Sequence, residues 1–262
     1  MSIRMTARMT GADDVMAQLL GLSKGGAARA YAKALNDVGF EGRRAMQTEF
    51  GKVFQGVTPY VQKSVYVKMA KPDNLSVTNE PTYYGGKGID PQKILQAQEF
   101  GGKRRDKRSE VALRRVGILP NGYQSVVPAK PYPGSVDQYG NIKGSFVTQL
   151  LSYMQAFGEQ GYKANMGDKG RRRVHRGTKA QGGRRYFVSF GRMRGDARSG
   201  HLAPGIWAAS GTHGVDVRPV LIFVRVPHYT SRLSMQRIAD RAGLGDYLDR
   251  RIRFRFREAA GV

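Results

Sequence analysis

The sequence predicts an α+β fold: an antiparallel or mixed sheet of about four to six strands, helices packed on it, and basic loops inserted between them. Three observations lead there. Val220–Val226 is apolar except for Arg225 and is bounded by Pro219 and Pro227, which reads as a strand buried on both faces. Ser64–Met69 alternates Val65, Val67 and Met69 with Tyr66 and Lys68, the period of a half-buried strand. Between such strands lie stretches whose apolar residues recur at helical spacing, the longest from about Ala27 to Phe50.

In chain order, Gly11–Leu20 reads as a short helix capped by Asp13 or Asp14. The long helix puts Tyr31, Leu35, Val38, Ala45 and Met46 on one face and Lys33, Asp37, Glu41 and Arg44 on the other. Gly39 and Gly42 weaken its middle and leave room for another element to come close. Thr58-Pro59 begins a turn, and Lys71–Asn74 is turn chemistry between Ser64–Met69 and a return strand over Leu75–Thr78. The glycines of Tyr83–Gly88 stand beside Lys87 but lack the Gly-Lys-Ser/Thr of a phosphate loop, so this is an irregular loop. Asp90–Phe100 is a capped helix with Pro91 in its first turn, stopped by Gly101-Gly102. Tyr123–Val127 reads as a strand ended by Pro128–Gly134.

Gly144–Phe157 is an amphipathic helix with Phe146, Leu150, Tyr153, Met154 and Phe157 on one side. From Gly158 to Arg184 the apolar signal vanishes among glycine and arginine, which predicts a mobile basic loop. Tyr186–Phe190 returns to the core. Leu202–Trp207 is a turn feeding a strand that pairs with Val220–Val226 across the polar stretch Ser210–Asp216. Trp207, Leu221 and Phe223 are the expected core-strand residues. Ser234–Ala260 reads as one helix broken at Gly243 or Gly245, with Leu248, Ile252 and Phe256 stacked, although Ile252–Arg257 also alternates as a strand does. The whole chain, 1–262, reads as a single domain with insertions at about 83–135 and 158–184.

Composition narrows the function. The 262 residues, 40% hydrophobic, suffice for a real core. The absence of cysteine excludes disulfides, thiolate zinc sites and a cysteine nucleophile. The N-terminus lacks the apolar core of a signal peptide, and no apolar run approaches the roughly 20 residues of a membrane span, so a soluble chain away from membranes is expected. Charge dominates: 44 Lys and Arg against 20 Asp and Glu give +24, which calls for a polyanionic neighbour. Two segments concentrate it. Lys103–Arg115 holds Arg104, Arg105, Lys107 and Arg108, and residues 161–200 hold Arg171, Arg172, Arg173, Arg176, Arg184 and Arg185. These are the candidate contacts with a polyanion or partner. His175, His201, His213 and His228 lack the spacing of a metal site, and the carboxylates form no convergent set. Neither catalysis nor a cofactor or metal is expected. Trp207, Phe190, Phe223 and Tyr229 lie within apolar strands rather than among the arginines, which favours core packing over base stacking.

The order Leu202-Ala-Pro-Gly-Ile-Trp207, a polar loop, Arg218-Pro-Val-Leu-Ile-Phe-Val224, Pro227-His-Tyr229 and an arginine-rich amphipathic tail resembles the C-terminal half of the minor tail protein Z family of tailed phages. The resemblance covers residues 185–258 well and residues 1–80 loosely. It implies a structural virion protein, a neck or tail-completion protein forming a homo-oligomeric ring at the head–tail junction. The implied partners are the portal or connector on one side and the tail tube or its terminator on the other, with non-specific contact to packaged DNA. The implied location is the virion, reached from the host cytoplasm during assembly. The alternative reading of the same residues is a sequence-independent nucleic-acid-binding protein that uses its arginine-rich loops.

Overall fold

The computed structural model describes residues 2–6, 21–54, 56–85, 89–178, 182–193 and 199–262. In chain order its elements begin with β1 (Ile3–Thr6), α1 (Lys24–Val53), α2 (Pro59–Gln62), β2 (Val65–Lys68), β3 (Ser76–Pro81) and α3 (Pro91–Phe100). They continue with α4 (Arg108–Arg115), β4 (Tyr123–Val126), α5 (Gly144–Tyr153), α6 (Asp168–Arg176) and β5 (Arg184–Ser189). The last are β6 (Gly205–Ser210), β7 (Asp216–Arg225), α7 (Met235–Arg241) and α8 (Leu244–Ala260). The fold is α+β, as expected. The helix expected over Gly11–Leu20 lies outside the described residues.

The chain divides into two compact units where one domain was expected, Met1–Arg104 with Tyr229–Val262, and Arg105–His228. The strands divide with them. The hairpin β2–β3 belongs to a three-stranded antiparallel sheet of order β1-β3-β2, and the later strands form a separate four-stranded sheet of order β4-β7-β6-β5. The physical reason is that β1 takes the second edge of β3, pairing Ile3 with Asn79 and Met5 with Val77.

In the first unit Ser23 caps α1 by accepting from the Gly26 amide at 3.1 Å, and Ala34, Leu35, Val38, Met46 and Phe50 of the helix are buried. The two glycines expected to permit close approach do so. A Cβ on Gly39 would lie 2.5 Å from Val77 Cγ2, and one on Gly42 would lie 2.3 Å from Asn79 Nδ2, so α1 sits directly on the sheet. Asn79 Nδ2 also donates to the Gly39 carbonyl at 2.9 Å. Gly243, at φ 57°, separates α7 from α8. Ile252–Arg257 is helix, and Phe256, only 1% exposed, meets the Tyr31 ring edge-on at 5.1 Å.

In the second unit β7 is a central strand, paired with β4 on one side and β6 on the other. Leu221 is 7% exposed and Phe223 3%, as expected of that strand. Pro219 lies inside β7 rather than at its boundary. A register shift between Ile206 and Trp207 accommodates it, and its carbonyl accepts from the Tyr132 amide at 3.0 Å. Trp207 is not a core residue. Ile206 and Ala208 are buried and join the core, so the two-residue period turns Trp207 to the other face, where it is half-buried and its indole Nε1 donates to the Ala203 carbonyl at 3.0 Å.

Of the segments expected as insertions, residues 83–104 belong to the first unit, and 105–135 and 158–184 are part of this one. The 83–135 stretch supplies β4, and the 158–184 stretch supplies a 3-10 turn over Glu159–Ala164, the helix α6 and the first residue of β5. Helix α5 ends at Tyr153, earlier than expected, because Gln155 turns left-handed at φ 58° and its side chain donates to the carbonyls of Ser152 and Met166.

Candidate polyanion-binding surface

Residues 158–184 looked too polar to fold, yet α6 forms there. Its spacing explains why. Lys169, Arg172, Arg173 and Arg176 stand at i, i+3, i+4 and i+7 and are all exposed, whereas Val174 is buried in the unit's core. Aliphatic stems of arginine supply apolar surface that composition does not count. Asp168 in the first turn and the basic residues in the last both suit the helix dipole. After α6 the chain doubles back through a bridge between Gly177 and Gly182 into β5. A Cβ on Gly183 would lie 2.1 Å from the His175 carbonyl oxygen, so the return strand presses on the helix backbone and admits only glycine there. The helix is thereby fixed to the β5 edge of the sheet.

The exposed face carries four basic residues against Asp168, a net +3, within a unit that has 21 Lys and Arg against 7 Asp and Glu. Among the described residues none of Lys169, Arg172, Arg173, Arg176 or the exposed Arg185 has an ion-pair partner. Burial, then the charges of Arg185 and Arg171, hold the His175 imidazole below its ordinary range, so it is neutral at pH 7. Its Nε2 shares a hydrogen bond of 2.9 Å with the Tyr153 hydroxyl.

Two of the expected contact residues are not on this face. Arg171 Nη2 donates to the Tyr153 carbonyl at 3.3 Å, and its guanidinium lies 5.6 Å from the Tyr153 ring centroid. Arg184 is 5% exposed. Its Nε donates to the Tyr186 hydroxyl at 2.6 Å and its Nη2 to Gln149 Oε1 at 2.7 Å, and its guanidinium lies within 6 Å of the ring centroids of Tyr132 and Tyr186. Burial pushes the Tyr186 phenol up, against the opposing pull of Arg184. Arg171 thus ties α6 to α5, and Arg184 ties β5 to α5.

The other basic segment is built differently. Arg104 belongs to the first unit. Arg105 is exposed, Lys107 is the N-cap of α4, and Arg108 opens the helix. Glu110, fully buried, accepts from the Lys107 amide at 2.7 Å and from the amide and hydroxyl of Ser125 at 2.7 and 2.8 Å. Asp106 is paired with Arg114 at 2.7 Å. This carboxylate-bearing knot ties α4 to β4, while α6 packs on β5, and β4 and β5 are opposite edges of the sheet. Arg105, Lys107 and Arg108 therefore do not join the α6 cations in one patch. Lys169 does belong to the patch and was not among the expected contacts; its signal was the helical spacing with Arg172, Arg173 and Arg176.

Among the described residues no group of three or more His, Asp or Glu is placed to hold a metal ion, and no helix is long and apolar enough to cross a membrane. No family model, no curated protein and no solved structure matches the chain.

Proposed function

We propose that the chain is a structural virion protein of a tailed bacteriophage, a neck or tail-completion protein that forms a ring at the head–tail junction between connector and tail. In this reading the chain binds and does not catalyse. The placement at the junction rests on the resemblance over residues 185–258. The observation that carries the binding part is the α6 face, four exposed cations on a helix anchored to a sheet edge, with no carboxylate paired to them among the described residues. A rigid face of that kind meets a polyanion with little ordering cost. Particles made by the replicon that encodes this chain provide the test. Immunogold labelling should mark the neck and nowhere else, and virions free of the protein would overturn the proposal.

A second reading, sequence-independent nucleic-acid binding, draws on the same +3 face. Arginines and lysines spaced along one side of a short helix contact phosphates, which position a protein without reading bases. The two readings part in solution. A ring-former assembles into a symmetric oligomer, alone or on its partners, whereas a simple binder retains DNA affinity as a monomer.

A further inference from the structure

We propose that the cavity between α5, α6 and β5 is an oxyanion site that takes one phosphate group. The cavity measures about 360 Å³, and Gln149, Arg173, Thr178 and Arg184 are among the residues that line it. That is room for a phosphate with some of its water, since one water occupies about 30 Å³ of liquid.

Arg184 makes the argument. The residue is only 5% exposed, and the bonds of its guanidinium go to a phenol and an amide, neither of which brings negative charge. Its guanidinium carbon lies 5.9 Å from the Tyr132 ring centroid and 5.7 Å from that of Tyr186. Among the described residues no Asp or Glu lines the cavity or bonds to Arg184. A cation taken out of water without a counter-charge is costly, and a bound anion would supply that charge. Among the described residues two of its five guanidinium N–H donors are used, and the other three can meet a ligand. Arg173 adds a second guanidinium at the rim, exposed and without an ion pair among the described residues. Gln149 turns its Oε1 to Arg184, so its Nε2 hydrogens remain as donors. Two planar forks and an amide suit the oxygens of a tetrahedral phosphate, and the fixed Arg184 is organised in advance. A free phosphate ion and one phosphodiester of a nucleic-acid strand offer the same oxygens. The site does not depend on the virion assignment.

Calorimetric titration of the full chain with inorganic phosphate, against chloride at matched ionic strength, tests the site. The expected result is saturable binding of one phosphate per chain, with a rise in Tm of about 3 °C near saturation. Arg173→Gln, an exposed change that the fold tolerates, should weaken binding about tenfold. Arg184→Lys keeps the charge and loses the fork, and should weaken it at least as much. If that variant fails to fold, the side-chain Nε resonance of Arg184 in the unaltered protein should shift on phosphate addition. No saturable binding above chloride, or binding unchanged in Arg173→Gln with the Arg184 resonance unmoved, overturns the proposal. Competition identifies the source. Displacement of phosphate by a short DNA duplex upholds the site as a phosphodiester site, and failure to displace it upholds a site for the free ion.

Discussion

Helix α8 carries Arg250, Arg251, Arg253, Arg255 and Arg257, and helix α6 carries Arg171, Arg172, Arg173 and Arg176. On α8 the inward pair converges on one carboxylate. Arg251 and Arg255 both reach Asp37 of α1 at 2.8 Å, and Arg255 also binds Glu258 at 2.8 Å. Its exposed face mixes Asp246, Asp249 and Glu258 with Arg250, Arg253 and Arg257, and so balances to zero. On α6 the inward arginine finds a ring and a carbonyl, and the exposed face keeps its net +3. The same residue type serves as internal mortar in one helix and as an unmet charge in the other. What separates them is the supply of carboxylates within reach, not the number of arginines.

The largest effect expected from breaking this contrast lies on α8. Phe256→Ala removes the ring packed against Tyr31 and should cost about 3–5 kcal/mol in chemical denaturation. A loss below about 1 kcal/mol would mean that α8 does not anchor on α1. Next comes Asp37→Ala, which leaves the Arg251 side chain, about four-fifths covered, without a carboxylate among the described residues and the Arg255 side chain with Glu258 alone. About 2–3 kcal/mol is expected, less than for a fully buried pair. Burial pushes the Asp37 carboxyl up, but hydrogen bonds from Arg255 and Arg251 outweigh it and hold the group below the ordinary carboxylate range. A carboxyl depressed in the folded state stabilises above its unfolded pKa and loses that contribution as pH falls through the folded one. Stability should therefore drop below about pH 4 in the unaltered protein, and the part due to Asp37 should be missing from the Asp37→Ala curve. Identical acid limbs would remove Asp37 from the account.

On α6 the expected losses are smaller. Val174→Ala should cost about 1–2 kcal/mol, since this is the helix's buried apolar anchor. Replacing Arg172, Arg173 and Arg176 together by Gln should change stability by no more than about 0.5 kcal/mol, because none of the three is in an ion pair among the described residues. A loss comparable to that of Asp37→Ala would make them mortar as well.

Much of the fold is legible in the residues themselves. The α1 stripe, the β2–β3 hairpin, the central place of β7 and the break at Gly243 all follow from periodicity and from proline and glycine. The division into two sheets was not legible, because β1 is four residues, Ile3-Arg-Met-Thr6, and its pairing with β3 spans 70 to 76 positions of sequence. Trp207 was misplaced because its strand is short and the only clue was aromatic identity rather than alternation with Ile206 and Ala208. Of the site, the arginines were visible but their roles were not. Arg184 reads as one more positive charge in a basic run, and its burial depends on Gln149, 35 positions away. The α6 helix was not legible because Val174 is the sole aliphatic residue between Met166 and Ala180, and the other inward side chain is an arginine, Arg171, set against the Tyr153 ring.

In the proposed role, position and not net charge makes the α6 face a polyanion dock. Two triple variants test it, Arg172, Arg173 and Arg176 to Gln on α6 and Arg250, Arg253 and Arg257 to Gln on α8. Both lower the net charge equally. The quantity to measure is the slope of the logarithm of duplex-DNA affinity against the logarithm of salt concentration. The α6 variant should lower its magnitude by about 2–3, as three lost phosphate contacts require, and the α8 variant by less than about 1. Equal decreases in the two variants, or an unchanged slope in the α6 variant, would contradict the account.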